Sequence, residues 1–342
     1  MRALIMRGHG GLDRVSLADL EEPEPGPGEV RVRVRAAALN HLDLWVREGW
    51  PALKLEFPHV FGSDMAGEVD KTGPGVPSSL LGARVAVVPG LSCGRCEHCL
   101  AGNDNLCRRF QLLGEQVSGG EAEWLVVPAR NVLPLPERLG FIEAAALPVT
   151  FQTAWHMLTV RAPVGPGSWL LVHAGGSGVG SAAIQIGKLF GATVIATAGT
   201  DEKCERARAL GADVTVNYAR DDFQEVVRAE TAKRGVDVVF EHTGQATWEK
   251  SLRSVATGGR VVLCGATSGH DAKLDLRFVF TRQISILGST MGTRAELARV
   301  LALAGRGRLR PIVDRTLPLS AGVSAQGLLE SRAVFGKIVL EP

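Results

Sequence analysis

The chain has 342 residues, 45% of them hydrophobic, with 38 basic against 36 acidic side chains and a formal net charge of +2. That length favours two domains, each able to bury its own core, and the interspersed charges form no extended cationic face, which argues against a nucleic-acid partner. No apolar run approaches membrane-spanning length, and Arg7 and the following glycines interrupt any secretion signal. A soluble cytoplasmic protein without a membrane partner is expected, in which the six cysteines serve metal binding rather than disulfides.

Residues 1–125 read as short strands between turn signals. RALIM comes first, PEPGPG at 23–28 is punctuation, and EVRVRVRAA follows. There Val30, Val32 and Val34 alternate with Arg31, Arg33 and Arg35, the period-two pattern of a strand with one buried face. DMAGEV and ARVAVV continue the pattern, so this part is expected to be an all-β, barrel-like unit.

Next, LSCGRCEHCLAGNDNLC spans residues 91–107 and places Cys93, Cys96, Cys99 and Cys107 at C-x2-C-x2-C-x7-C. Four thiolates can enclose one zinc tetrahedrally, and such a closed site has no position left for substrate or activated water. One structural zinc is expected, a staple rather than the seat of chemistry. His98 lies within the lobe, but four sulfurs already suffice. Cys204 and Cys264 read as ordinary core residues.

From 126 to 292 strands alternate with helical segments. WLLVHAG, TVIATAG, VTVNY, VDVVFEHTG, GRVVLCGATSG and QISILGSTMG describe a doubly wound parallel sheet of the Rossmann type, an α/β fold. The helix SAAIQIGKLFG carries Lys188 in its last turn and Gly191 as a stop. Before it, AGGSGVGS at 174–181 offers Gly175, Ser177, Gly178, Val179 and Gly180 as a turn on which a pyrophosphate can meet backbone N–H groups and a helix N-terminus. Ser177 stands where the middle glycine of G-x-G-x-x-G is expected, with Gly178 as partial compensation.

The second strand of this sheet bears on the cofactor. A site for NAD usually has a carboxylate about 20 residues beyond the turn, which would repel a 2′-phosphate. Here the strand ends Ala196-Thr197-Ala198-Gly199-Thr200, and Lys203 follows. NADPH is therefore expected over NADH, with Asp201 and Glu202 as the features that oppose it. The tail 293–342 ends in FGKIVLEP, a strand expected to return to the first domain.

With these motifs the whole chain resembles the medium-chain dehydrogenase/reductase superfamily of zinc alcohol dehydrogenases and quinone oxidoreductases. The resemblance implies a GroES-like catalytic domain, 1–125 completed by 293–342, a Rossmann domain at 126–292, and an active site in a cleft against the nicotinamide. It also implies that Tyr218 and Lys203 lie near the adenosine phosphate, with His41 near the pyrophosphate and Gly265 as a further cofactor contact. The ligand positions of the family's catalytic zinc fall on Asn40, Ser63 and Val149, none of which replaces thiolate or imidazole. N-x-x-D at 40–43 and G-S-D-x-A-G at 62–67 resemble instead the zinc-free quinone oxidoreductase branch.

Hydride transfer from NADPH to a conjugated enone or quinone is the expected reaction, with Asn40 donating a hydrogen bond to the developing enolate oxygen. Asp43 and Asp64 are expected to fix the cleft floor. Three alternatives stay open: a zinc-type alcohol dehydrogenase; an unorthodox metal site built from His59, His156 and Asp64; and a low-turnover NADPH-binding structural or sensing protein. The partner is expected to be a small-molecule substrate, and SILGSTM is a candidate edge strand for a homodimer or homotetramer.

Overall fold

The valine–arginine alternation folds into the longest strand of the first sheet, Glu29–Ala38. Val30, Val32 and Val34 enter one core with Met65, Val69, Val85 and Val87. Arg31 departs from the simple alternation and is also buried. Its guanidinium pairs with Asp70 and lies 4.5 Å from the centre of the Trp124 ring, so charge pairing and stacking replace its hydration.

The computed structural model describes residues 1–342 and divides into two units, Met1–Val149 with Thr293–Pro342, and Thr150–Gly292. The first boundary thus falls after Val149, not at 125/126 as expected from sequence. The reason is strand pairing: Trp124–Pro128 is antiparallel to Glu29–Ala38, and Val132–Pro134 is antiparallel to Arg84–Val87. The strands at 124–128 and 132–134 therefore extend the first unit's sheet, and residues up to Val149 stay with that unit.

That sheet runs Val132–Pro134, Arg84–Val87, Asp64–Thr72, Glu29–Ala38, Lys337–Glu341, Val313–Pro318, with Trp124–Pro128 also on Glu29–Ala38. Its register brings three distant segments to one end of the central strand. Ala38 faces Asp64 on one side and Val339 on the other. Asn40, Asp64 and Lys337 thereby become neighbours although 297 residues separate the first from the last.

The second unit is a six-stranded parallel sheet in the order Val214–Asn217, Thr193–Ala198, Trp169–Val172, Val236–Glu241, Val255–Leu263, Ser285–Gly288. This is the doubly wound order, with its switch point beside the first strand. Leu171, Ile195, Val216, Val239 and Val261 form the centre of its core. Ser285–Gly288 is an edge strand. No helix in either unit is long and apolar enough to cross a membrane.

Candidate functional site

Asn40 ends the extended run of the central strand and sits at the N-cap of the helix His41–Glu48, whose N3 residue is Asp43. The Asn40 backbone N–H donates to Asp43 Oδ2 at 2.6 Å, satisfying one of the donors a helix start leaves open. The Asn40 side chain faces the other way. Its Nδ2 donates to Asp64 Oδ2 at 3.0 Å and, at 3.4 Å, to the Ala38 carbonyl. Its Oδ1 accepts from Lys337 Nζ at 2.5 Å.

Lys337 also donates to Asp64 Oδ2 at 2.9 Å, and the Val149 backbone N–H donates to Asp64 Oδ1 at 2.7 Å. Asp64 and Lys337 are buried, so breaking this pair by removing one partner is expected to cost about 3–5 kcal/mol. Ser63 Oγ donates to the Leu113 carbonyl at 2.6 Å. The residues at 40, 63 and 149 thus offer an amide bound to a lysine, a hydroxyl turned onto a carbonyl, and an alkyl side chain. Such a set, with an ammonium already bound to the amide oxygen, does not fit a divalent metal.

Two further carboxyls lie beneath. Asp43 Oδ1 and both oxygens of Glu121 are buried without a hydrogen-bond partner. Burial pushes the Asp43 carboxyl up to about 6, against hydrogen bonds from the Asn40 and Gly62 N–H groups. Burial first, and then the neighbouring Asp43, pushes Glu121 well above the usual carboxylate range. Gly62 has φ +99°, and a Cβ there would lie 2.6 Å from Glu121 Cγ, so the chain takes this path only with glycine. His59, buried and held below its ordinary value by desolvation, donates through Nε2 to the Gly114 carbonyl at 3.2 Å. Its ring is committed to the fold, and His156 belongs to the second unit.

The cysteine lobe does fit a metal. The Sγ atoms of Cys93, Cys96, Cys99 and Cys107 lie within 4.8 Å of one another, and the N–H groups of Cys93 and Arg109 donate to Cys107 Sγ at 3.3 and 3.4 Å. Four sulfurs so placed form the closed tetrahedral set of a structural zinc. From the same lobe, Asp104 accepts from the Arg294 N–H at 3.2 and 3.3 Å, at the start of the helix Arg294–Gly305.

In the second unit the glycine turn joins Trp169–Val172 to the helix Gly178–Leu189. Ser177 is that helix's N-cap, its Oγ accepting from the Gly180 N–H at 3.0 Å. This explains why serine stands at the middle-glycine position. Gly180 is required for another reason: a Cβ would come within 2.4 Å of the Ala174 carbonyl oxygen. Gly175 packs closely under the turn, its N–H bound to the Thr197 carbonyl at 2.7 Å. With the capped serine, the N–H groups of Gly178 and Val179 open the helix, the arrangement that suits a pyrophosphate.

At the end of the second strand Thr200 caps the helix Asp201–Ala209 by accepting from the Lys203 N–H at 3.1 Å. Tyr218, half exposed, lies against Gly199, where a Cβ would be 2.7 Å from its hydroxyl. The Asp201 carboxylate is engaged, by Asn217 Nδ2 at 2.9 Å and by Arg220 at 3.2 Å, which hold it below its usual range. Gly265 follows the strand Val255–Leu263, and His41 is the first residue of its helix, its ring edge-on to Trp45 at 6.0 Å.

The sequence reading brought forward Asn40, Asp43 and Asp64, and all three lie in this network. It missed Lys337, Glu121 and Arg220. Lys337 had a signal, a lysine opening the apolar run IVL, and Glu121 had a weaker one, an acid directly after two glycines.

Residues 26–137 match the alcohol dehydrogenase GroES-like domain family, and residues 178–306 match the zinc-binding dehydrogenase family. A crystal structure of a NAD-dependent alcohol dehydrogenase is 53% identical with a TM-score of 0.96, and the match covers 100% of both chains. An alcohol dehydrogenase of Geobacillus stearothermophilus is 33% identical over 88% of each chain. A quinone oxidoreductase of Sus scrofa is 28% identical over 99% of this chain and 97% of its own.

Proposed function

Because the chain belongs to the medium-chain dehydrogenase/reductase superfamily, whose members are NAD(P)-dependent oxidoreductases, we propose that it transfers hydride from NADPH to a conjugated enone or quinone, with one zinc held structurally by the cysteine lobe. The observation that carries this is the binding of Asn40 and the Val149 N–H to Asp64, with Lys337 among them, where metal ligation would need free donor side chains. Without a metal, an unactivated ketone or alkoxide loses several kcal/mol of stabilisation. A conjugated acceptor spreads its charge and needs less. The similarity to a quinone oxidoreductase points the same way.

NADPH is favoured because the Asp201 carboxylate is occupied by Asn217 and Arg220 and is not free to take a ribose hydroxyl. The relative at 53% identity, a NAD-dependent alcohol dehydrogenase, favours a second reading, oxidation of an alcohol with NAD. One acceptor and donor screen with both cofactors, alongside metal analysis, separates the two. Reduction of enones or quinones by NADPH with one zinc per chain supports the first. Chelator-sensitive oxidation of a simple alcohol with two zincs per chain would overturn it.

A further inference from the structure

The site needs a group to meet the charge that develops on the acceptor's oxygen, and the structure reassigns which side chain can do so. Both amide hydrogens of Asn40 are spent, on Asp64 and on the Ala38 carbonyl. Ser63 has turned its hydroxyl proton onto Leu113. Asp43 and Asp64 are carboxyls, acceptors rather than donors when ionised. One side chain keeps a donor in reserve. The Lys337 ammonium has three N–H bonds and two acceptors, Asn40 Oδ1 and Asp64 Oδ2.

We propose that Lys337 is a catalytic residue, the electrophile of this site, whose third N–H meets the carbonyl oxygen of the conjugated acceptor. This rests on the conjugated-acceptor reading above. Lys337 is 4% and Asn40 7% exposed, so the ammonium is shielded from bulk water. In such surroundings a preorganised cation stabilises developing charge far more than it would in solvent. Asn40 and Asp64 are positioning residues: they hold Nζ from two directions and leave the third for substrate.

Bound reduced nicotinamide supplies a hydride. In an enone the β-carbon takes that hydride and its electron pair, the C=C pair shifts to join the α-carbon to the carbonyl carbon, and the C=O pair moves onto oxygen. In a 1,2-quinone one carbonyl oxygen takes the hydride, its C=O pair joins the two carbonyl carbons, and the pair of the second C=O moves onto the second oxygen. The resulting enolate or hydroquinone anion accepts the Lys337 hydrogen bond and takes its proton from water, so Lys337 ends the cycle as it began. The nicotinamide leaves oxidised by two electrons and the acceptor reduced by two.

The test is kinetic, on wild type, Lys337→Met, Lys337→Gln and Lys337→Arg, with cyclohexenone and phenanthrenequinone as acceptors and NADPH affinity measured separately. Lys337→Met is expected to lower kcat on cyclohexenone by about 10²–10³, the loss seen on removing one oxyanion donor, and on the quinone, which spreads its own charge, by about tenfold or less. NADPH affinity should stay unchanged. Arg should recover part of the cyclohexenone loss and Gln less. If the methionine variant does not fold, the Arg and Gln variants decide by the same difference between acceptors. Equal losses on both acceptors would mean a structural role, and weaker NADPH binding with kcat retained would mean a cofactor contact; either overturns the assignment. Wild-type enzyme inactive on both acceptors would instead overturn the conjugated-acceptor reading, and with it this one.

Discussion

Replacing Asp43 by asparagine should make the protein's stability less sensitive to pH on the alkaline side of its carboxyl titration. The carboxyl is fully buried and raised from 3.8 to about 6, so the folded state holds this proton more tightly than the unfolded chain. The stability it contributes is then complete below about pH 4, declines as pH rises, and has gone once pH passes the folded value near 6. The difference between 3.8 and about 6 corresponds to about 3 kcal/mol at neutral pH. Roughly half of it is expressed between pH 5 and 7.5.

Asparagine keeps an acceptor for the Asn40 N–H and cannot ionise. Relief of Glu121, which Asp43 now pushes upward, adds in the same direction. Urea unfolding across this pH range, on both proteins with zinc content matched, reads the effect as a difference between two differences. The titrations of the lobe thiols and of other carboxylates then cancel. Wild type is expected to lose about 1–2 kcal/mol more than the variant. Parallel curves would refute the argument, for Asp43 would then titrate in the folded protein much as it does in the unfolded chain.

Native mass spectrometry should find one zinc per chain, and Cys96→Ser should lose it together with thermal stability, while activity per folded molecule persists. Asp104→Ala removes the acceptor for the Arg294 N–H and should cost about 0.5–2 kcal/mol, as capping losses do, with kcat unchanged; calorimetry and turnover together check this. Glu241 accepts from the Thr243 and Gly244 N–H groups and from the Thr247 and Ser251 hydroxyls at 2.7–3.1 Å. Glu241→Ala should therefore destabilise by more than about 3 kcal/mol, since each stranded buried donor costs about 1–3, and a loss below about 1 kcal/mol in denaturant unfolding would contradict that.

Much of the fold was written locally. Alternating valines with arginines, Gly-rich turns between apolar runs, and cysteines spaced C-x2-C-x2-C-x7-C each encode their structure within a few residues. Strand, helix and ligand cluster depend there on neighbours close along the chain. The domain boundary was less legible, because a strand such as Trp124–Pro128 reads alike in either unit until its partner Glu29–Ala38 is known.

By itself the sequence determined the class of fold, the glycine turn before the helix, the cluster of four thiols and the absence of metal-binding side chains at 40, 63 and 149. Those are properties of residue type and short spacing. Only the tertiary structure decided what stands there instead: sheet register beside Ala38 sets Lys337 against Asn40 and Asp64. It also decided which donors are spent. Asn40 looks available in the sequence because an amide always has two hydrogens to give; in the fold both are taken, and the free one belongs to a lysine 297 residues away. Hydrogen-bond capacity is a property of a residue, but its vacancy depends on every neighbour, and those are chosen by long-range pairing that no local pattern records.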